Sequence, residues 1–130
     1  MELLVYGAPC TSTRKTRQWL QSHKIPFTYK NIEKEPLTLQ EFRHILHLTE
    51  DGTDGLIATR SNAYKELQLD VDALPLKELY EFIYEHPRLL RQPIILGDNK
   101  LQVGFDEHDI RQFIPREERK KFLTNMLAMN

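Results

Sequence analysis

A single cysteine, Cys10, stands where the apolar run Leu3-Leu4-Val5-Tyr6 gives way, through Gly7-Ala8-Pro9, to a helix-like stretch beginning Thr11-Ser12-Thr13-Arg14-Lys15. A thiol at a helix start faces unpaired backbone N–H groups and the positive end of the peptide dipoles, which favours the thiolate and makes it reactive. Redox proteins of this layout carry a second cysteine three residues on, at C-x-x-C spacing. Here that position is Thr13, and with one cysteine in the chain no internal disulfide can form. Two readings of Cys10 stand side by side: a thiol open to mixed disulfides with glutathione, or a small unreactive residue packed under its loop.

Other residue types offer less chemistry. His44 and His47 are three apart on a predicted helix face, yet no third ligand of metal-binding spacing accompanies them, so they read as surface histidines. Gly52, in Glu50-Asp51-Gly52-Thr53-Asp54-Gly55, can take a positive φ at no steric cost and let another molecule approach closely. Around it Glu33, Glu35, Glu41, Glu50, Asp51 and Asp54 outnumber Lys34 and Arg43, which predicts an acidic lobe that steers toward a basic surface.

The elements that must position these residues follow from periodicity. Residues 2 to 6 predict a buried strand closed by Gly7 and Pro9. Thr16, Trp19 and Leu20 among charged neighbours predict an amphipathic helix from Thr11 to His23, capped by Thr11 or Ser12. Phe27, Tyr29 and Ile32 alternate with polar residues as in a half-buried strand. Thr38 and Glu41 have capping-box spacing before Phe42, Ile45, Leu46 and Leu48, a helix to about Thr49. Residues 50 to 55 read as a turn, 61 to 67 and 75 to 84 as helices, and His86-Pro87 as a stop. Pro93 to Leu96 and Leu101 to Phe105 predict a hairpin across Gly97-Asp98-Asn99-Lys100, followed by a short helix from Asp106 to Phe113.

Composition narrows the class. The 130 residues make one domain, and 18 basic against 19 acidic side chains give a net charge of −1, which offers phosphate backbones no general attraction. No stretch approaches the ~20 apolar residues of a membrane span, and one cysteine suits a reducing compartment, so a cytoplasmic protein is expected. The basic run Arg116, Arg119, Lys120 and Lys121 reads as a solvated helix face, with contact to DNA as the alternative.

A βαβ opening with a cysteine at the first helix start, a helical middle and a late X-Pro before a hairpin resembles the thioredoxin-like order of arsenate reductases. The stretches Cys10-Thr11-Ser12, Arg14-Lys15, Thr49-Glu50-Asp51-Gly52-Thr53-Asp54, Thr59-Arg60-Ser61, His86-Pro87, Leu89-Leu90-Arg91, Pro93-Ile94-Ile95 and Leu101-Gln102-Val103-Gly104 strongly resemble the Spx family, stress regulators of Firmicutes that bind RNA polymerase. The likeness runs from about residue 3 to residue 116. It implies an α/β, thioredoxin-like domain over 1–115 with a mixed four-stranded sheet and a helical insertion at about 36–75, followed by a tail at 116–130, helical or disordered.

By function the resemblance implies a regulator that is not an enzyme and uses no cofactor. It would contact the C-terminal domain of the polymerase α subunit through His47, Glu50, Asp51 and Gly52 and alter activation or repression of stress-response promoters. Promoter DNA would be met only within the polymerase complex, and no membrane is involved. Family members are held low by the ClpXP protease with its adaptor, which makes Leu127-Ala128-Met129-Asn130 the corresponding end here. The residues implied near the thiol are Arg14, Arg60, Arg91, Gln92 and Pro93, with a cis Gln92-Pro93 bond against the cysteine.

Two departures fall at sites that matter to the family. Thr13 removes the resolving thiol, and the usual Arg-Arg-Pro is Arg91-Gln92-Pro93, which loses a guanidinium. Both weaken a redox switch and leave the Gly52 stretch intact, as in a paralogue or variant that keeps the protein contact. The rival is a glutaredoxin-coupled reductase of the arsenate type, with Cys10 as nucleophile and Arg60 and Arg91 on the oxyanion; Gln92 stands against it.

Overall fold

The computed structural model describes residues 3–49, 52–98 and 100–114. Its sheet is built from β1 (Leu3–Gly7), β2 (Phe27–Asn31), β3 (Ile94–Leu96) and β4 (Leu101–Val103) in the order β2-β1-β3-β4. β1 runs parallel to β2, in register from Leu3 opposite Phe27 to Gly7 opposite Asn31, and antiparallel to β3, which pairs antiparallel with β4. The helix α1 (Thr11–Ser22) joins β1 to β2. Between β2 and β3 come α2 (Leu39–Leu48), a 3-10 turn at Gly52–Gly55, α3 (Asn62–Leu67), another at Val71–Ala73, α4 (Leu76–Glu85) and a third at Pro87–Leu89.

Successive side chains of a strand point to opposite faces, and this alternation divides the core in two. Leu3 and Val5 of β1 and Ile95 of β3 pack with Leu20 of α1, Ile25, Ile110 and Phe113 on one face. Tyr6 of β1 with Ile94 and Leu96 of β3 face the other way, onto Phe42 and Ile45 of α2 and Leu79 and Ile83 of α4. Each fully buried aliphatic or aromatic side chain contributes on the order of 1.5–3 kcal/mol, which holds α1 and the α2–α4 layer against the sheet.

The start of α2 carries the capping box expected from its spacing. The Thr38 hydroxyl accepts from Glu41 N at 3.0 Å and the Glu41 carboxylate accepts from Thr38 N at 3.1 Å. Glu41 also accepts from Lys30 Nζ at 3.2 Å and from the Tyr6 phenol. Partial burial pushes its pKa up, but the Thr38 backbone, Tyr6 and Lys30 outweigh that and hold it below the ordinary value. A depressed folded-state pKa means that the unfolded chain takes up its proton first. The contribution is therefore complete above the ordinary glutamate pKa and is lost as pH falls through the folded value. Thr38→Ala is expected to cost about 1 kcal/mol, and Glu41→Gln to make this acid-side loss shallower, both read from urea midpoints between neutral and acid pH.

Among the expected boundaries that differ, two have a clear local cause. The cap of α1 is neither Thr11 nor Ser12: Cys10 itself holds the extended cap conformation, φ −147° and ψ 170°, and its carbonyl accepts the first helical bond from Arg14 N at 3.0 Å. The helix expected from Asp106 to Phe113 is a 3-10 turn at Asp109–Phe113, because the Asp106 carboxylate accepts from His108 N and Asp109 N, at 2.8 and 2.9 Å, and folds the preceding residues into a tight loop. Those two bonds hold the Asp106 pKa below its ordinary value.

Candidate functional site

Cys10 is partly exposed at the N-terminus of α1, whose first turn holds no acidic residue. Its Sγ lies 3.2 Å from Thr13 Oγ1. Thr13 is buried, so the residue in the second-cysteine position turns its hydroxyl onto the thiol. That placement requires a glycine in the strand opposite. A Cβ on Gly7 would stand 2.5 Å from Thr13 Oγ1 and 3.1 Å from its Cγ2. Gly7→Ala is expected to destabilise the fold by about 1–3 kcal/mol through this overlap, and Thr13→Ala to relieve much of that loss in the double variant, a coupling that urea unfolding of the four proteins measures.

A groove of about 550 Å3 opens beside the thiol, lined by Cys10, Arg14, Arg17, Tyr29 and Asn31 among others. Arg17 and Tyr29 are absent from the set expected from sequence. The Arg17 guanidinium lies over the Tyr29 ring, 4.2 Å from its centre, and Arg17 Nε is buried without a hydrogen-bond partner among the described residues. Tyr29 OH donates to Gly7 O at 2.9 Å. Burial raises the Tyr29 pKa; Arg17 opposes this, while Cys10 and Glu33 add to it. The strand alternation of Phe27, Tyr29 and Asn31 was the signal that could have placed Tyr29 here, since it sets these side chains on one face.

Of the residues implied near the thiol, Arg14 lines this groove and Gln92 reaches its loop. Ala8 N donates to Gln92 Oε1 at 2.5 Å, and Gln92 Nε2 donates to Pro87 O at 3.4 Å. The Gln92-Pro93 bond is cis and Pro93 is buried. Arg60 is not placed there: the Thr59-Arg60 turn into α3 leaves it exposed, and it is not among the groove residues. Arg91 is the clearer correction. Its Nη1 donates to Gly55 O at 3.4 Å, and a Cβ on Gly104 would meet its Nη2 at 3.9 Å. Adjacent side chains before Pro93 point to opposite sides, so Gln92 serves the thiol loop while Arg91 faces the Gly52–Gly55 turn.

That turn is stitched to the same segment. Arg91 N donates to Leu56 O and Ala58 N to Leu89 O, both at 2.7 Å, around a bridge between Ile57 and Leu90. Gly52 has φ +60°, and a Cβ added to it would meet nothing within 4 Å. His47 is exposed in the last turn of α2, beside it in sequence. Glu50 and Asp51 lie outside the described residues, as do Arg116, Arg119, Lys120, Lys121 and the end Leu127-Ala128-Met129-Asn130. The expected acidic lobe is partly neutralised: Glu41 pairs with Lys30 at 3.2 Å and Glu33 with Arg88 at 2.9 Å. Among the described residues no cluster of His, Cys, Asp and Glu could hold a metal, and no helix is long and apolar enough to cross a membrane.

A cysteine capping the first helix of a βαβ unit, with a cis-proline segment beside its loop, defines the thioredoxin-like class in its arsenate-reductase form, and the ArsC family model matches residues 6–113. Solved structures agree on the fold: an ArsC family related protein from Bacteroides fragilis superposes with a TM-score of 0.76 at 22% identity, covering 87% of this chain and 98% of that one. The arsenate reductase from Vibrio cholerae gives a TM-score of 0.69 at 22% identity, covering 87% and 95%. Within that class the chain belongs to the Spx family of transcriptional regulators. It is 51% identical to the global transcriptional regulator Spx 2 of Oceanobacillus iheyensis, over 92% of this chain and 89% of the relative. It is also 51% identical to the global transcriptional regulator Spx of Bacillus subtilis, over 88% of each. The relatives at half identity are regulators, whereas the reductase structures share the fold alone.

Proposed function

We propose that this chain regulates transcription by docking on the C-terminal domain of the RNA polymerase α subunit through the face around Gly52, His47, Glu50 and Asp51, and so alters activation or repression of stress-response promoters. The observation that carries this reading is Gly52 itself: a left-handed residue with open space over it, in a turn whose exit at Leu56 and Ala58 is held by short backbone bonds to Arg91 and Leu89. Such a turn presents bare backbone to a partner without a large ordering cost, because it is held before binding. The mechanism is occupancy: activators that need the same polymerase surface are blocked, and promoter DNA is met only within the polymerase complex. Family membership supports it, since the relatives are named transcriptional regulators.

Redox control differs from a two-cysteine switch. Cys10 has Thr13 where a resolving thiol would stand, so oxidation cannot close a loop inside the chain. Titration of the purified α C-terminal domain in reducing and in oxidising buffer is expected to give the same dissociation constant, and Cys10→Ser to leave it unchanged. No detectable binding in either buffer would defeat the reading. The reductase alternative draws on the groove where Arg14 and Arg17 flank Cys10, but Arg91, its second anion ligand, faces the other way. Turnover of arsenate with glutathione and glutaredoxin, abolished by Cys10→Ser, would establish that alternative instead.

A further inference from the structure

We propose that the groove between the Gly52–Gly55 turn and the β3–β4 hairpin is the second half of the docking face, and that it takes a carboxylate side chain of the partner between Arg91 and Lys100. The inference rests on the docking reading above and adds to it a site and its chemistry. The groove has a volume of about 610 Å3, and its walls include Thr49, Gly55, Arg91, Lys100, Asp109 and Gln112. Gly55 belongs both to the turn that carries Gly52 and to this wall, so a molecule seated on the turn borders the groove.

Both cations are exposed and both are steadied by neutral oxygens. Arg91 Nη1 lies 3.4 Å from Gly55 O, and Lys100 Nζ donates to Gln112 O at 2.9 Å. A carbonyl orients a cation and leaves its charge uncompensated, and each head group keeps further N–H donors for an incoming acceptor. Arg91 comes from the segment before Pro93 and Lys100 from the hairpin, so two separate elements converge on one opening. Asp109 is the one carboxylate among the described wall residues. A partner must then offer a carboxylate to the groove, and that pairing fixes its orientation more than it adds affinity.

The test is a binding titration of the full chain with the purified α C-terminal domain at low and at physiological salt. Arg91→Glu combined with Lys100→Glu is expected to weaken binding about tenfold or more and to flatten its salt dependence, each single reversal falling between. Arg91→Gln with Lys100→Gln gives the same direction more weakly and covers the case in which double reversal disturbs folding, which far-UV circular dichroism detects. Binding by both double variants within about twofold of the unaltered chain, while Gly52→Arg still abolishes it, would overturn the groove. Unimpaired binding by Gly52→Arg would instead overturn the docking reading on which it rests.

Discussion

Gly52→Arg is expected to abolish binding to the α C-terminal domain while the chain stays folded. Two effects act together. Space above Gly52 is open in the free protein, since an added Cβ meets nothing within 4 Å, so a long cation is accommodated there only until a partner must occupy that space. The φ of +60° also costs an L-residue about 1–2 kcal/mol, which loosens the turn locally. Gly52→Ala separates the two, because it carries the same backbone strain with almost no bulk. Alanine should weaken binding modestly and arginine remove it, with equal thermal midpoints for both; isothermal titration beside thermal unfolding reads both quantities. Equal losses with both substitutions would assign the effect to strain and take the contact surface away from Gly52.

Thr13→Cys is expected to turn a chain with no internal redox chemistry into one that oxidises fully. Thr13 Oγ1 already sits 3.2 Å from Cys10 Sγ, so a sulfur in its place needs to approach by only about 1 Å to reach bonding distance. The closed loop is short, and its entropic stabilisation is on the order of 2 kcal/mol before strain. In a glutathione redox buffer the unaltered chain can gain only a glutathione adduct, whereas the variant should lose two hydrogens and both titratable thiols. Intact mass and thiol counting decide it. Retention of both thiols under oxidant would mean that the buried pocket beside Gly7 holds the second sulfur away from the first.

These two positions also show what could be read from residues alone. The strand, helix, strand opening was legible because its apolar spacing changes period at Gly7 and again at Pro26, and the α2 cap because Thr38 and Glu41 stand at box spacing. The Gln92-Pro93 bond is cis, as the family likeness implied. Cys10 as the helix cap was hidden by Thr11 and Ser12, whose hydroxyls are stronger capping groups than a thiol, so propensity pointed one or two residues late. The direction of Arg91 was hidden for a different reason: alternation says that Arg91 and Gln92 diverge, but only the packed sheet says which of them meets the thiol loop. Arg17 was missed because an arginine on an amphipathic helix carries no local signal of what it will meet, and Tyr29 because alternation gives its face and not its partner.

The divergence of residues 91 and 92 has a further consequence. Two neighbours in the chain answer to different surfaces, Gln92 to the loop before Cys10 and Arg91 to the Gly52–Gly55 turn, with the buried Pro93 next in sequence. A replacement at 92 therefore acts on the loop beside the thiol and leaves the Gly52–Gly55 turn as it was, and the converse holds at 91. The two surfaces are thus separable in this architecture, open to independent drift through single codons.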